Sequence, residues 1–572
     1  MTGDGRFRRL LVFSLLFTSL VLLTDKPGPL LAQDVEVSSA DPNNTPQGTV
    51  SLNVIITGKH FERGAVAKWF VTGTTNPGGV TVNSTAFVNA TQLVANVTVS
   101  TTAPAAKYDV LVTLSGGRTG KGIELFAVTK KGTKSTCTLA PLPSAFTLIG
   151  TLNSARNNGE PLYRGFFGEA IRARKATLGS AEVYVVVVGS NSSGKLEVFF
   201  LDPLTGAALD GEAIGSPTGQ IQPHLTLPIP PIDSKTNFHV EKVAMGDVNA
   251  DGAPDIAIAD WLSGKAYVYV GAVQNGILTY SSAIPLVPPG NQSRFGYSLA
   301  IGDLDGYSGD EVAVGAPGGG TGKAVQNGKA YIFKLNTTGD PSFVWTQTIS
   351  SPIPNPKDSD LFGRGVAIGE VAEGAAPDLV VGAPNSDVNQ PDGFGRVFVF
   401  PGFNFFNPLK FSTGKSSNLT DGKVAAADVD GGYPDVIVTT GTSVLGYRGL
   451  VSESQSPGFT LSSVPGLDMN FGNDMHAGDV NTDALADVLV GAPNSSDCPS
   501  LASIGATYIY LTTPSQPLTP YLLQAPAFDV DYAAYGWSTA ALEGSRLFLI
   551  SEKGRRVGSA TGAGQVYVYK VN

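Results

Sequence analysis

Two cysteines and four histidines in 572 residues are too few for a disulfide framework, a dithiol redox centre or an ordinary zinc site. Cys137 and Cys498 stand alone, and His60, His224, His239 and His476 form neither a His-Glu-x-x-His string nor a pair at ligand spacing. The chain also lacks a Gly-x-Ser-x-Gly elbow, a Gly-x-x-x-x-Gly-Lys-Ser/Thr phosphate loop and an Arg-Gly-Asp string. With no catalytic motif readable, an enzyme is not the expectation, and His476 reads as a strand histidine rather than a general base. Charged residues are scarce at 15%, and the net charge of −10 offers no footprint for a nucleic-acid backbone. Long amphipathic helical patterns are missing. Beyond the N-terminal leader no run approaches the roughly 18 apolar residues that span a bilayer.

What remains is 42% hydrophobic, with 69 glycines and 38 prolines punctuating runs of Val, Ile, Tyr and Phe. That composition predicts turn-rich, all-β structure, in a chain long enough for two domains or one large repeat array. Arg6, Arg8 and Arg9 precede the apolar run 10–23 and then Leu-Leu-Ala-Gln, which reads as a secretory signal, residues 1–32, with cleavage after Ala32 or retention as an anchor. The expected location is therefore secreted or at the cell surface. Asn-x-Ser/Thr sequons at Asn43, Asn83, Asn89, Asn96, Asn191, Asn291, Asn336, Asn418 and Asn494 would make a glycoprotein only in a eukaryotic secretory route.

Residues 34–129 alternate apolar and polar positions in short runs such as 50–57, 91–99 and 107–114, separated by Gly and Pro turns, the pattern of a small antiparallel sandwich. With Gly58 followed by Phe61 as a glycine-then-aromatic turn, this segment resembles the IPT/TIG type of Ig-like domain. Residues 130–143 are basic, small and proline-bearing, and read as a linker.

From 144 to 572 the chain repeats itself. A strand opening on glycine recurs at 194, 264, 328, 395, 505 and 564, with a weaker copy near 446. The spacing of about 50 to 70 residues suits a four-stranded blade repeated around an axis. Ahead of those strands stand Phe167-Gly168, Phe295-Gly296, Phe362-Gly363, Phe471-Gly472 and Tyr535-Gly536, and Val-Gly-Ala-Pro recurs at 314–317, 381–384 and 490–493. These two halves around an acidic turn resemble the FG-GAP repeat of integrin α-subunits and of phospholipases that cleave lipid anchors. The resemblance implies a seven-bladed β-propeller with calcium turns on one face and ligand recognition on the other. The ring should close by residues 144–150 completing the seventh blade.

The acidic turns differ from copy to copy. In the sixth copy Asp479, Asn481, Asp483 and Asp487 fall at turn positions 1, 3, 5 and 9, and in the second Asp247, Asn249, Asp251 and Asp255 do the same. Oxygen ligands at alternate positions of one short turn suit a hard cation such as Ca2+, which takes six to eight oxygens; Asp, Asn and Gly are also favoured in turns without any metal. The third copy keeps Asp303 and Asp305, with Tyr307 at position 5 and Asp310 and Glu311 near position 9; the fifth keeps Asp428, Asp430 and Asp435 in a shorter turn. The fourth retains Glu370 and Asp378 with Ala372 and Gly374 between, and is expected to hold no metal. Two to four Ca2+ sites follow, the second and sixth dominant.

The sequence thus points to an exported, monomeric, non-catalytic adhesion or ligand-binding module. Its protein or glycan partner is expected on the rim opposite the calcium turns, where loops 318–328, 385–395 and 288–294 are placed by strand parity. The same parity keeps Cys137 and Cys498 apart. A propeller-scaffolded hydrolase, phospholipase-like or polysaccharide-acting, and a purely structural envelope protein are the alternatives.

Overall fold

The computed structural model describes the chain from residue 34 onward, except 50–51, 130–141, 155–165, 191–193, 210–219, 233–237, 291–293, 319–327, 354–359, 375, 385–393, 416–422, 442, 450–455, 464–469, 495–504, 513–519, 527–533 and 556–562. The leader, both cysteines, most of the linker and most of the loops 318–328 and 385–395 lie outside the described residues. Apart from one short 3-10 turn at Pro401–Phe403, the described elements are all strands. No helix among the described residues is long and apolar enough to cross a membrane. Two compact units separate, Met1–Ser135 and Thr136–Asn572.

The first unit holds two four-stranded sheets. One orders Glu36–Asp41, Leu52–Lys59, Gln92–Val99 and Val80–Asn89; the other orders Asn44–Pro46, Thr119–Thr129, Lys107–Thr113 and Val66–Val71. Alternation decides which face is buried: along Gln92–Val99 it is Leu93, Ala95, Val97 and Val99 that lose all solvent contact. They share one core with Trp69 and Phe126, whose rings meet edge to face at 5.8 Å. The Gly58–Phe61 turn has a steric cause. A Cβ on Gly58 would sit 2.0 Å from the Glu36 carbonyl oxygen and 2.5 Å from the buried Phe61 ring.

The second unit is a β-propeller. Among the described residues it contains seven sheets of four or more strands, antiparallel throughout except where Gln220–Ile221 pairs parallel with Phe146–Leu152. The first strands of the seven are Ala170–Leu178, Lys242–Gly246, Ser298–Gly302, Gly365–Gly369, Val424–Ala427, Asp474–Gly478 and Tyr535–Leu542. Each packs against the first strand of the next sheet, and the last packs against Ala170–Leu178, so the series closes on itself. Second strands such as Glu311–Ala316, Asp378–Ala383 and Asp487–Ala492 are buried at every residue because a neighbouring sheet covers each face, which is why they read as unbroken apolar runs after one acidic residue.

Closure takes the expected form. Phe146–Leu152 runs antiparallel to Gln565–Val571, pairing Leu152 with Val566 and Phe146 with Val571, and the short strand Gln220–Ile221 adds to its far edge. Each end of the repeat region is thereby completed by the other.

The two halves of the repeat motif meet across the gaps between sheets. Phe167, Phe295, Phe362, Phe471 and Tyr535 are all fully buried, and Phe362 wedges Ala313, Ala330 and Ile332 of the third sheet against Phe398 of the fourth. Gly363 follows it at φ +86°, and Gly315, the glycine of the Val-Gly-Ala-Pro in the third sheet, lies against it so closely that a Cβ would fall 1.9 Å from the Gly363 carbonyl oxygen. Gly491 stands in the same relation to Gly536, at 2.0 Å. At these two gaps the second strand approaches the next aromatic-glycine turn so closely that only glycine fits, whereas Gly296 and Gly472 lie against Ala259 and Thr439.

Candidate metal centres and the axial cavity

Every acidic turn connects a first strand to a second, and position 9 is the first residue of the second strand, cross-strand from the last residue of the first. Asp255 opposes Gly246, Glu311 opposes Gly302, Asp378 opposes Gly369, Asp435 opposes Ala427 and Asp487 opposes Gly478. All five are buried. Their carboxylates tie the turn to the strand beyond. Asp255 accepts the Val248 N–H at 2.5 Å and the Gly271 N–H at 2.6 Å; Asp487 accepts Val480 at 2.9 Å and Thr512 at 2.7 Å; Asp435 accepts Val429 at 3.1 Å and Gly449 at 3.2 Å.

The fourth turn keeps the same arrangement without an acid at position 3 or 5. Asp378 accepts the N–H groups of Val371 at 2.8 Å, Ala372 at 2.6 Å and Gly402 at 2.9 Å. Position 9 therefore serves the fold and not the ligand set alone, and its presence in a turn that lacks acids at positions 3 and 5 is the sign of this in the sequence.

Positions 1 and 3 close the turns on themselves. Asp247 accepts the N–H groups of Asp251 and Gly252 at 3.1 and 2.8 Å, while Asp479 accepts those of Asn481, Thr482 and Ala484 at 3.2, 2.6 and 3.0 Å. Asn249 and Asn481 each place the amide nitrogen on the position-5 carboxylate, Asp251 at 3.0 Å and Asp483 at 3.1 Å. The turns are also chained along the rim. The Asp247 carbonyl receives the Asp310 N–H at 2.9 Å, the Asp428 carbonyl that of Ala486 at 2.6 Å, and the Asp479 carbonyl that of Gly544 at 3.0 Å.

Three carboxylates converge within 4.8 Å of one another in two places among the described residues: Asp303, Asp305 and Glu311, and Asp428, Asp430 and Asp435. The second and sixth turns, ranked first from spacing, bring no such trio together; their third ligand is an amide. At the third turn a cation is already present. Lys334, from the following strand, reaches Asp305 at 2.5 Å and Glu311 at 2.8 Å. At the fifth, Arg448 lies 3.1 Å from Asp430. Asp310 does not join the third group: its carboxylate accepts the Asp247 N–H at 2.7 Å and so belongs to the neighbouring turn. Tyr307 at position 5 is 74% exposed.

The donor chemistry fits a hard divalent cation. Burial pushes the Asp255 and Asp487 carboxyls up to about 7 and Asp435 to about 6 despite their backbone donors, and the neighbouring carboxylates add to the rise. A cation among these oxygens would relieve that strain. Asp247, Asn249, Asp251 and Asp255, and their sixth-turn counterparts Asp479, Asn481, Asp483 and Asp487, are the side chains that would hold one; at the fifth turn Asp428, Asp430 and Asp435 would do so.

The other end of the ring differs in kind. There the N-terminal halves of the seven first strands surround a cavity of about 380 Å³, reached by Ala170, Lys242, Ser298, Gly365, Val424, Asp474 and Ser538. No sequence motif marks it, because each sheet supplies only two to four ordinary residues. His476 stands two residues inside the sixth first strand, and burial holds its imidazole down at about 4, the neutral form expected of a strand histidine.

No family profile matches the chain. It is similar to Integrin alpha-PS5 of Drosophila melanogaster, 32% identical over 159 residues, which are 25% of this chain and 15% of the relative. Integrin alpha-7 of Mus musculus is 31% identical over 176 residues, 28% of this chain and 14% of the relative. Phosphatidylinositol-glycan-specific phospholipase D of Mus musculus is 26% identical over 141 residues, 25% of this chain and 16% of the relative. The matches thus span only about a sixth or less of these relatives' lengths, in keeping with a shared integrin-α-like repeat region.

Proposed function

We propose that the chain is an exported FG-GAP protein in which an Ig-like sandwich precedes a seven-bladed propeller, stabilised by Ca2+ in its acidic turns. It acts as a non-catalytic adhesion or ligand-binding module, monomeric, secreted or at the cell surface. The observation carrying this reading is the division of labour around the ring: acidic turns braced to one another at one end, and an open, charged cavity at the other. The similarity to integrin α-subunits supports it, and a rigid scaffold presenting binding groups at one end suits such a role. The partner, a protein or a glycan, would dock on the end away from the acidic turns.

A glycan and protein array probed with the calcium-loaded protein, then with chelator, tests the reading. Retained partners whose binding weakens as chelator loosens the fold are the expected result; an array without any partner would overturn it. The similarity to the phospholipase gives the hydrolase alternative its one support. Release of product from a glycosylphosphatidylinositol or polysaccharide substrate by the purified chain would favour that alternative instead.

A further inference from the structure

We propose that one position at the end of the third strands decides how each acidic turn is neutralised, and that the third turn is closed to calcium because the Lys334 ammonium stands where the ion would; the proposal rests on the calcium reading above and narrows it to particular turns.

Register defines the position. The residue after the position-9 acid pairs with the third strand: Ile256 with Tyr269, Val312 with Phe333, Leu379 with Phe400, Val436 with Tyr447 and Val488 with Tyr510. The residue that follows each of these partners is Val270 in the second sheet, Lys334 in the third, Pro401 in the fourth, Arg448 in the fifth and Leu511 in the sixth. Position 3 of the turn changes with it. Beside the apolar Val270 and Leu511, position 3 is an amide, Asn249 or Asn481; beside Lys334 and Arg448 it is a carboxylate, Asp305 or Asp430; beside Pro401 it is Ala372. The contacts explain the pairing, since Lys334 lies 2.5 Å from Asp305 and Arg448 3.1 Å from Asp430. Amide with hydrocarbon leaves the remaining carboxylates to an external ion, whereas acid with base supplies a cation from the chain itself.

In the third turn that internal cation is fully engaged. Asp305 accepts the Tyr307 N–H at 3.0 Å through Oδ1 and meets Lys334 through Oδ2; Glu311 accepts the Leu304 N–H at 2.8 Å through Oε2 and meets Lys334 at 2.8 Å through Oε1. In the other four sheets the second oxygen of the position-9 acid instead takes the N–H just beyond the variable position, that of Gly271, Gly402, Gly449 or Thr512. Position 5 adds no carboxylate, because Tyr307 stands there with the Lys334 ammonium 5.9 Å from its ring centroid. Calcium takes roughly six to eight oxygens at about 2.3–2.6 Å. An ion held by Asp305 and Glu311 would therefore share the ammonium's place, and like charges that close repel strongly beside a buried group such as Glu311. The residues of the third turn do not fit calcium while Lys334 is present. Without it, Asp303, Asp305 and Glu311 converge within 4.8 Å of one another. Arg448 is 57% exposed against 32% for Lys334, so the fifth turn stays open to solvent and closure is confined to the third.

Calcium bound per chain, counted by equilibrium dialysis of the full chain with Ca2+ as the probe, tests this. Asp303→Asn should leave the parent's count unchanged, whereas Lys334→Met should raise it by one, and adding Asp303→Asn to Lys334→Met should remove the extra ion. Carrying the third-turn pair to the sixth turn, Leu511→Lys with Asn481→Asp should lower the count by one. Terbium luminescence excited through tyrosine gives a second readout: Lys334→Met should brighten it, and Tyr307→Leu in that background should remove the gain. Should Lys334→Met fail to fold, Lys334→Gln, which keeps the reach without the charge, gives the same readouts. Loss of an ion in Asp303→Asn, or no gain in either Lys334 variant, overturns the proposal. If the parent loses ions in Asp247→Ala and Asp479→Ala while the Lys334 variants gain none, this inference fails and the calcium reading stands; if neither parent nor variants bind calcium, both fail.

Discussion

Replacing Asp378 separates fold from metal, because the fourth turn carries the position-9 carboxylate without the acidic set around it. In Asp378→Ala the N–H groups of Val371, Ala372 and Gly402 lose their acceptor, in a place where Asp378 is fully buried. A hydrogen bond to a charged group contributes about 1.5–3 kcal/mol, and a buried donor left without a partner costs about 1–3 kcal/mol. The three bonds share one carboxylate and do not add, so a loss of about 3–5 kcal/mol is expected. Asp378→Asn should be nearly as harmful, since one side of the amide would turn N–H groups toward backbone N–H. Glu370→Ala, in the same turn but exposed, should stay within about 0.5 kcal/mol of the parent. Urea unfolding of the three variants, in calcium and in chelator, checks this. The loss should be the same in both solutions. A loss confined to calcium would show Asp378 acting as a ligand and refute the reasoning, as would equal effects from Asp378→Ala and Glu370→Ala.

Asp247→Ala and Asp479→Ala should lower the melting temperature more in calcium than in chelator, because a site at a hundredfold excess over its dissociation constant adds about 2.7 kcal/mol; effects no larger than that of Glu370→Ala would contradict the assignment of these turns. Lys334→Met removes the ammonium held between Asp305 and Glu311, so it should destabilise the chain in chelator and enlarge the stabilisation by calcium, measured as the difference in melting temperature between the two solutions. His476 has its folded value lowered to about 4 from an ordinary 6.5. Its contribution is fully present above pH 6.5 and is lost as pH falls toward 4, since only the unfolded chain takes up the proton in that window. His476→Gln should flatten the decline of stability between those limits, and an unchanged slope would count against the imidazole.

What was legible in the sequence was what one repeat unit encodes in a row. The aromatic-glycine and glycine-alanine-proline halves announced the propeller because each copy solves the same local problem of closing the gap between sheets, and counting copies was enough to place residues near 146 in the last sheet. What was not legible depends on which way side chains point and on what a distant strand delivers. Adjacency in sequence groups Asp310 with Glu311, yet neighbours in an extended chain point oppositely; Glu311 turns inward to the Leu304 N–H and Asp310 turns back to Asp247. Lys334 reaches the third acidic group from 23 positions further along the chain than Glu311, a distance no turn motif covers. The axial cavity is the extreme case, since its chemistry exists only after seven first strands have been brought side by side. The two ends of those strands also carry different consequences. At the acidic end, side chains are consumed by backbone N–H groups and by the next turn, so substitutions there register as stability. At the cavity end, Arg364 and Lys242 stand over the Tyr297 ring, so substitutions of the cavity wall should register in partner binding, whereas Asp378→Ala should register in stability alone.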